Sequence, residues 1–197
     1  RKLGLPELSP IHRIDRDTAG LVLLSTQRSD RGAYQALFRE QRVHKTYQAI
    51  APYRPELGFP REHHSRMQES GHFIRMQEVA GPPNSHTRLT LLEHNTHWAR
   101  YQLEPISGKR HQLRVHMAAL GIGILGDGLY PDVNDAPEGD FSRPLRLLAQ
   151  AIAFTDPLTQ QQRHFHSQYT LGALPPAPAP EPAPSGQQTR QGLPANA

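Results

Sequence analysis

The stretch Ile11-His12-Arg13-Ile14-Asp15-Arg16-Asp17 sets two arginines and two carboxylates within five positions. Small residues follow, Thr18-Ala19-Gly20, and then the apolar run Leu21-Val22-Leu23-Leu24. Glycine accepts backbone angles closed to other residues, so the pattern predicts a charged loop turning into a short buried strand over 21–24. Loops held against a rigid strand are where catalytic groups sit. The same residues also read as a salt-bridged turn in which Asp15 or Asp17 bonds its own backbone.

A second charged stretch, Ser107-Gly108-Lys109-Arg110-His111-Gln112-Leu113-Arg114-Val115-His116-Met117, leads to Gly126-Asp127 and Leu129-Tyr130. With His12-Arg13-Ile14-Asp15 and Lys45-Thr46-Tyr47, these residues resemble the RluA-type family of RNA pseudouridine synthases. That family's pattern is H-R-L-D-x-x-T-S-G-L, then K-x-Y, then G-R-x-H-Q-I-R-x-H and G-D-x-x-Y. The motifs occur in order, and the resemblance covers roughly residues 8 to 160. Two departures stand out: Ala19 replaces a common serine, and Ile122-Gly123 stands where histidine-proline is usual.

The resemblance implies an α+β domain with a mixed, largely antiparallel sheet and flanking helices. It implies isomerisation of uridine to pseudouridine in structured ribosomal or transfer RNA, with no cofactor or metal. Asp15 takes the place of the catalytic aspartate, and Tyr47 that of the active-site tyrosine, which stacks on the base and can accept a proton. Arg114 takes the place of an arginine that pairs with the aspartate. RNA contacts are expected from Arg13, Arg16, Lys109, Arg110 and His111. A catalytically inactive RNA-binding member is the alternative, and the presence of Asp15, Tyr47 and Arg114 together speaks against it. A hydrolase using Asp15 with His12 or His111 lacks both a serine elbow and a carboxylate pair.

The elements that must position these residues follow from periodicity. Residues 29–42 predict a helix with Ala33, Leu37 and Phe38 on its apolar face and Ser29 or Asp30 as N-cap. Val43 to Ala51 predicts a strand with Tyr47 in its middle. Residues 52–86, punctuated by prolines, predict loops and short strands with a divergent hairpin. His63, His64 and His72 read there as surface histidines, with no acidic partner at ligand spacing. Alternation over 87–94 and 98–104 predicts a β-hairpin around Asn95-Thr96-His97.

Lys109 to Leu120 predicts a helix with Leu113, Met117 and Leu120 on one face, Arg110 and Arg114 on another, and Gly121 closing it. Positive charge at that helix start opposes the helix dipole, a conflict that an anion would resolve. Residues 147–154 predict one more strand, closed by Asp156-Pro157.

The chain has 197 residues and no cysteine, which excludes disulfides, thiol nucleophiles and cysteine-ligated zinc. Its net charge is +4, and of 22 basic residues 22 − 3 = 19 are arginines. Guanidinium groups suit phosphate forks and base stacking, although a GC-rich genome gives the same bias. No apolar run approaches the ~18 residues of a membrane span and no signal peptide is visible, so a cytoplasmic protein is expected; a monomer is expected as well. Arg1 is not a start methionine and the first motif arrives at once, as in a chain lacking an N-terminal part of its catalytic domain. The domain is expected over 1–171. Residues 172–197, rich in Pro, Ala and Gln, predict a disordered tail with polyproline character whose Glu181 and Arg190 cancel.

Overall fold

Strand β4 (Val43–Pro52) alternates its side chains across a sheet, and that alternation organises the molecule. The computed structural model describes residues 4–71, 74–133, 140 and 142–177. In chain order the other elements are β1 (Ser9–Pro10), β2 (Ala19–Gly20), β3 (Leu24–Ser25), α1 (Arg31–Arg39), β5 (Arg61–Glu69), β6 (Met76–Val79), β7 (Ser85–His94), β8 (Trp98–Pro105), α2 (Gln112–Ala119), β9 (Leu147–Thr155) and β10 (Gln162–His166). An eight-stranded sheet runs β10-β9-β4-β8-β7-β5-β6, with β2 joined to β9; β1 and β3 form a separate pair. Its pairings are antiparallel except β2 with β9, which is parallel, so the expected mixed, largely antiparallel α+β fold is present.

Both helices pack on one face of the sheet. Ala49 and Ala51 of β4 meet Leu113 and Met117 of α2, together with Leu89, Tyr101, Leu103 and Leu147. Nearer the β10 end, Val43, Ile152 and Phe154 hold Leu37 and Phe38 of α1. Ile50 and Leu148 point the other way, and there Leu171, Leu174 and Trp98 cover them.

Several sequence expectations need correction. The run 21–24 is not one buried strand. Gly20 (φ +107) lies so close to β9 that a Cβ would collide with the Ala149 carbonyl, and Leu21 N–H donates to that carbonyl. The chain then bends away, and Leu24 is exposed in its pair with β1.

Residues 52–86 hold a nine-residue strand, β5, paired with β6 on one side and β7 on the other. Its Arg-Glu-His-His-Ser-Arg composition hides it, because one face is open and the other buries Ser65 beside Met67. β10 was also unforeseen. It is polar and largely exposed, as an edge strand can be.

Helix α2 starts at Gln112, three residues later than expected, because His111 adopts a left-handed conformation (φ 55). Lys109, Arg110 and His111 therefore form a loop ahead of the helix, and Arg110 shares no helix face with Arg114.

The boundary at 171/172 is also too early. Asn95 Nδ2 donates to Pro175 O at 2.9 Å, Trp98 Nε1 to Pro176 O at 3.2 Å, and Arg100 Nη2 to Gly172 O. Residues 171–176 are thus a strap across the second face. The rest of the expected tail, 178–197, lies outside the described residues, as does His72.

Candidate active site

Between α1, α2 and the sheet lies a cavity of about 270 Å³. Asp15 and Arg13 reach it from the loop after β1, Lys45 and Tyr47 from β4, and Lys109 and Arg110 from the loop before α2. Phe38, Leu113 and Leu147 supply apolar wall. A carboxylate, a phenol and four cations around one apolar-floored hollow suit a flat base with its phosphates.

His12 fixes the Asp15 loop. Its Nε2 accepts the Leu23 N–H at 2.9 Å, which leaves the proton on Nδ1 to donate to Arg13 O at 3.2 Å. Its ring stacks on Phe38 with centroids 4.6 Å apart. Burial lowers the His12 pKa, and the charge of Lys45 adds to this, so a neutral imidazole ties the loop to both α1 and the Leu23 backbone. Thr18 N–H donates to Asp15 O at 3.0 Å, so Asp15 sits at the head of a turn. That turn uses the Asp15 backbone carbonyl. Among the described residues, no hydrogen bond engages the Asp15 carboxylate.

Tyr47 faces the cavity from β4, whose Val43, Ala49 and Ala51 lie on the same face. Burial first, and the charge of Asp15 second, push its pKa up to about 12. The phenol is therefore protonated at neutral pH, and its response to Asp15 shows that the two groups share one electrostatic field. Lys45 has its pKa lowered by burial, and its Nζ reaches Ser107 O at 3.4 Å.

The far wall is held by Gln112. Its Oε1 accepts from Ser107 Oγ (2.7 Å) and Lys109 N–H (3.1 Å), while its Nε2 donates to His86 O (3.0 Å) and Thr87 Oγ1 (2.9 Å). Every polar atom of this buried amide is used, which fixes loop 107–109 against β7. Gln112, Ser107 and Lys45 were not singled out as site residues from the sequence. Their signal was present only as membership of the two motifs.

Arg114 corrects a specific expectation. Its guanidinium forms a two-pronged pair with Asp127, Nε to Oδ2 at 2.8 Å and Nη2 to Oδ1 at 2.5 Å, both side chains fully buried. The pairing with Asp15 inferred from the motif is not a direct bond. Asp127 is preorganised as acceptor, since its Oδ1 also takes the N–H groups of Leu129 and Tyr130, and it outcompetes a carboxylate on a half-exposed loop. Burial opposes the Arg114 charge. The bonds and charge of Asp127, with the fields of Asp15 and Asp17, outweigh it and raise the pKa. Arg114 thus lies behind the cavity wall, paired with Asp127, and the charge of Asp15 adds to the rise of its pKa.

His111 is also drawn inward. Its Nδ1 lies 3.0 Å from Tyr130 Oη, and burial lowers its pKa. Tyr130 in turn takes the Met76 N–H at 2.7 Å and carries Arg114 over its ring. Asp127 and Tyr130, the last motif, are therefore the frame for the loop that presents Lys109 and Arg110. Arg16 is exposed beside Asp15 and does not line the cavity.

The profile of the family described as RNA pseudouridylate synthase matches residues 1–119. The chain belongs to the RNA pseudouridylate synthase family. It is 32% identical over 162 residues to a ribosomal large subunit pseudouridine synthase C of Vibrio cholerae, covering 81% of this chain and 51% of that protein. It is also 32% identical over 164 residues to the dual-specificity RNA pseudouridine synthase RluA of Pasteurella multocida, covering 79% and 71%. An uncharacterized RNA pseudouridine synthase of Haemophilus influenzae is 33% identical over 142 residues, covering 66% of this chain and 58% of that protein. The chain thus spans little more than half the length of two of these three synthases. In fold, it superposes on the human RNA pseudouridylate synthase domain containing 1 with a TM-score of 0.69 at 23% identity, covering 82% of this chain and 69% of that one.

Proposed function

We propose that this synthase-family chain isomerises uridine to pseudouridine in structured RNA, ribosomal or transfer, with Asp15 as the catalytic carboxylate. The reaction breaks the N1–C1′ bond, turns the uracil, and rejoins it through C5, whose proton leaves as N1 takes one up. It consumes no water and needs a partner for the sugar or base, a proton acceptor, and a wall against which the freed base stays flat. Asp15 is the first, Tyr47 supplies the third and, once substrate binding draws off the proton its phenol holds at rest, the second, and Arg114 keeps the local field positive.

The observation that carries this reading is that Asp15 and Tyr47 line one cavity whose rim is Arg13, Lys45, Lys109 and Arg110. Those cations face where the flanking phosphates of an extruded nucleotide would lie, and extrusion of a stacked uridine costs a few kcal/mol. Arg16 belongs to the same RNA-facing loop. His111, committed to Tyr130, supports that surface from behind. A monomer acting in the cytoplasm completes the reading. No helix among the described residues is long and apolar enough to cross a membrane.

The test is pseudouridine mapping on ribosomal and transfer RNA from cells with and without the gene, repeated with Asp15→Ala and Asp15→Asn. Both variants are expected to lose the modification while retaining RNA binding. Full turnover by a folded Asp15→Ala protein would remove the assignment. RNA binding with no modification by the wild type would favour an inactive RNA-binding member.

A further inference from the structure

The face of β5 and β7 turned away from α2 carries a second cluster with its own chemistry. Ser85 and Thr87 bond His116 of α2, so alternation turns His86 and Arg88 to the opposite face. On β5, Ser65 bonds the same histidine, which puts Glu62 and His64 on that opposite face as well. His64 and His86 are direct cross-strand partners, and Glu62 stands opposite Arg88.

The ligand atoms of Glu62, His64 and His86 all lie within 4.8 Å of one another. Glu62 Oε2 is 3.3 Å from His64 Nε2 and 3.2 Å from His86 Nε2. A tetrahedral ion with ligand bonds of about 2.0–2.1 Å has edges of roughly 3.3–3.4 Å, so both separations already fit. The other carboxylate oxygen, Oε1, is held by Arg88 through Nε (3.2 Å) and Nη2 (3.1 Å), which aims Oε2 at the imidazoles. An outer partner of this kind is what orients a ligating carboxylate.

An independent observation points to a ligand. His86 Nε2 is shielded from solvent and, among the described residues, makes no aligned hydrogen bond, its 3.2 Å approach to Glu62 Oε2 being an ion-pair contact alone. Buried polar atoms are nearly always satisfied by aligned hydrogen bonds, so this atom, set between a carboxylate oxygen and a second imidazole, calls for an explanation.

We propose that Glu62, His64 and His86 form a zinc site. Two imidazole nitrogens and one carboxylate oxygen suit a borderline-soft ion, whereas magnesium and calcium take all-oxygen sets. The rings stack 3.9 Å apart at 19°, so binding turns them about their Cβ–Cγ bonds to bring both lone pairs onto one ion. His64 is half exposed, and its ring turns by exchanging its 3.3 Å contact with Glu62 Oε2 for the ion. Arg88 opposes the ion's charge while orienting its carboxylate, which sets the affinity below that of a fully anionic site.

The site has a mechanical consequence. His86 N–H donates to Ser107 Oγ at 2.9 Å, and His86 O accepts from Gln112 Nε2 and from Ile106 N–H, each at 3.0 Å. An ion joining His86 to β5 therefore braces the strand on which loop 105–109 of the cavity hangs.

The experiment titrates zinc into the tag-free 197-residue chain against a chromophoric chelator, with thermal melts alongside. One zinc per chain and a raised melting temperature are expected. His64→Ala, His86→Ala and Glu62→Gln should each weaken binding at least about tenfold, the low end of what even an outer partner contributes. His63→Ala tests the separate group His63, Glu78 and His116 on the other face of β5, and His164→Ala, an exposed histidine outside both groups, controls for adventitious histidine binding; both should leave binding unchanged. Circular dichroism screens each variant for folding, with His64→Gln replacing any alanine variant that does not fold. Equal zinc affinity in the His64 and His86 variants, or no saturable binding at micromolar zinc, would overturn the proposal.

Discussion

Tyr47 illustrates how environment decides what a side chain can do. Burial and Asp15 raise its pKa to about 12, so the resting phenol holds its proton, and a catalytic role requires that substrate binding change this balance. Tyr47→Phe keeps the flat ring and removes the hydroxyl. Its kcat on a uridine-containing RNA is expected to fall by about 100-fold or more, the usual scale of lost acid–base catalysis, while RNA affinity stays nearly constant. Wild-type turnover in single-turnover assays would leave Tyr47 as a stacking platform. Asp15→Asn should also lower the phenol's titration midpoint, because a neutral amide no longer repels the phenolate. Ultraviolet titration reads this directly.

His116 carries a second residue-scale prediction. It is fully buried between Thr87, Ser65 and Ser85, and burial lowers its pKa from 6.5 to about 3. The unfolded chain takes up the proton at the higher pH. The folded protein therefore binds fewer protons between these values, and stability is fully present above about 6.5 and lost as pH falls toward 3. The slope for one such group is about 1.4 kcal/mol per pH unit. Urea midpoints from pH 7 to pH 4 should fall more steeply for wild type than for His116→Gln, whose amide can keep the hydroxyl contacts without titrating. Parallel pH profiles would mean that His116 is protonated in the fold.

At the scale of elements, the short β2 contact anchors the Asp15 loop to the sheet. Ala19 and Gly20 pair with Leu148 and Ala149 of β9, and Gly20 has φ +107 at the point of closest approach. Gly20→Ala adds a Cβ both to a strained backbone and against the Ala149 carbonyl. A loss of at least about 1–3 kcal/mol is expected from the conformational strain alone. Because the displaced strand carries the loop, activity should fall even at temperatures where the variant stays folded. Wild-type activity in Gly20→Ala would show that β2 does not position Asp15.

Across the whole molecule, the second face of the sheet depends on chain far from the cavity. Leu171 is buried on Ile50 and Leu148, and the strap that follows is pinned by Asn95, Trp98 and Arg100. Deleting 178–197 is expected to leave the melting temperature unchanged. Deleting 171–197 uncovers Ile50, Leu148 and the Trp98 face, and the melting temperature should drop by several degrees. Equal melts for the two truncations would mean that the strap contributes nothing to stability.

The sequence by itself determined which residues match the family motifs and their order along the chain. Alternation was enough for the β7–β8 hairpin, and apolar, β-branched and aromatic runs for β4 and β9, whose Ile50 and Leu148 are buried on the second face as well. Asp15, Tyr47, Lys109 and Arg110 were legible as motif positions, and the fold brings them to one cavity. Tertiary structure alone decided who pairs with whom. The buried Asp127, already bound by two backbone N–H groups, claims Arg114, and among the described residues no hydrogen bond engages the Asp15 carboxylate. Strand β5 and the Glu62, His64 and His86 cluster were illegible because their partners come from cross-strand register, which no local period encodes. The strap over 171–176 was illegible for a related reason: a proline-rich segment has no period, and only the fold places Ile50 and Leu148 under Leu171 and the donors of Asn95, Trp98 and Arg100 against its carbonyls.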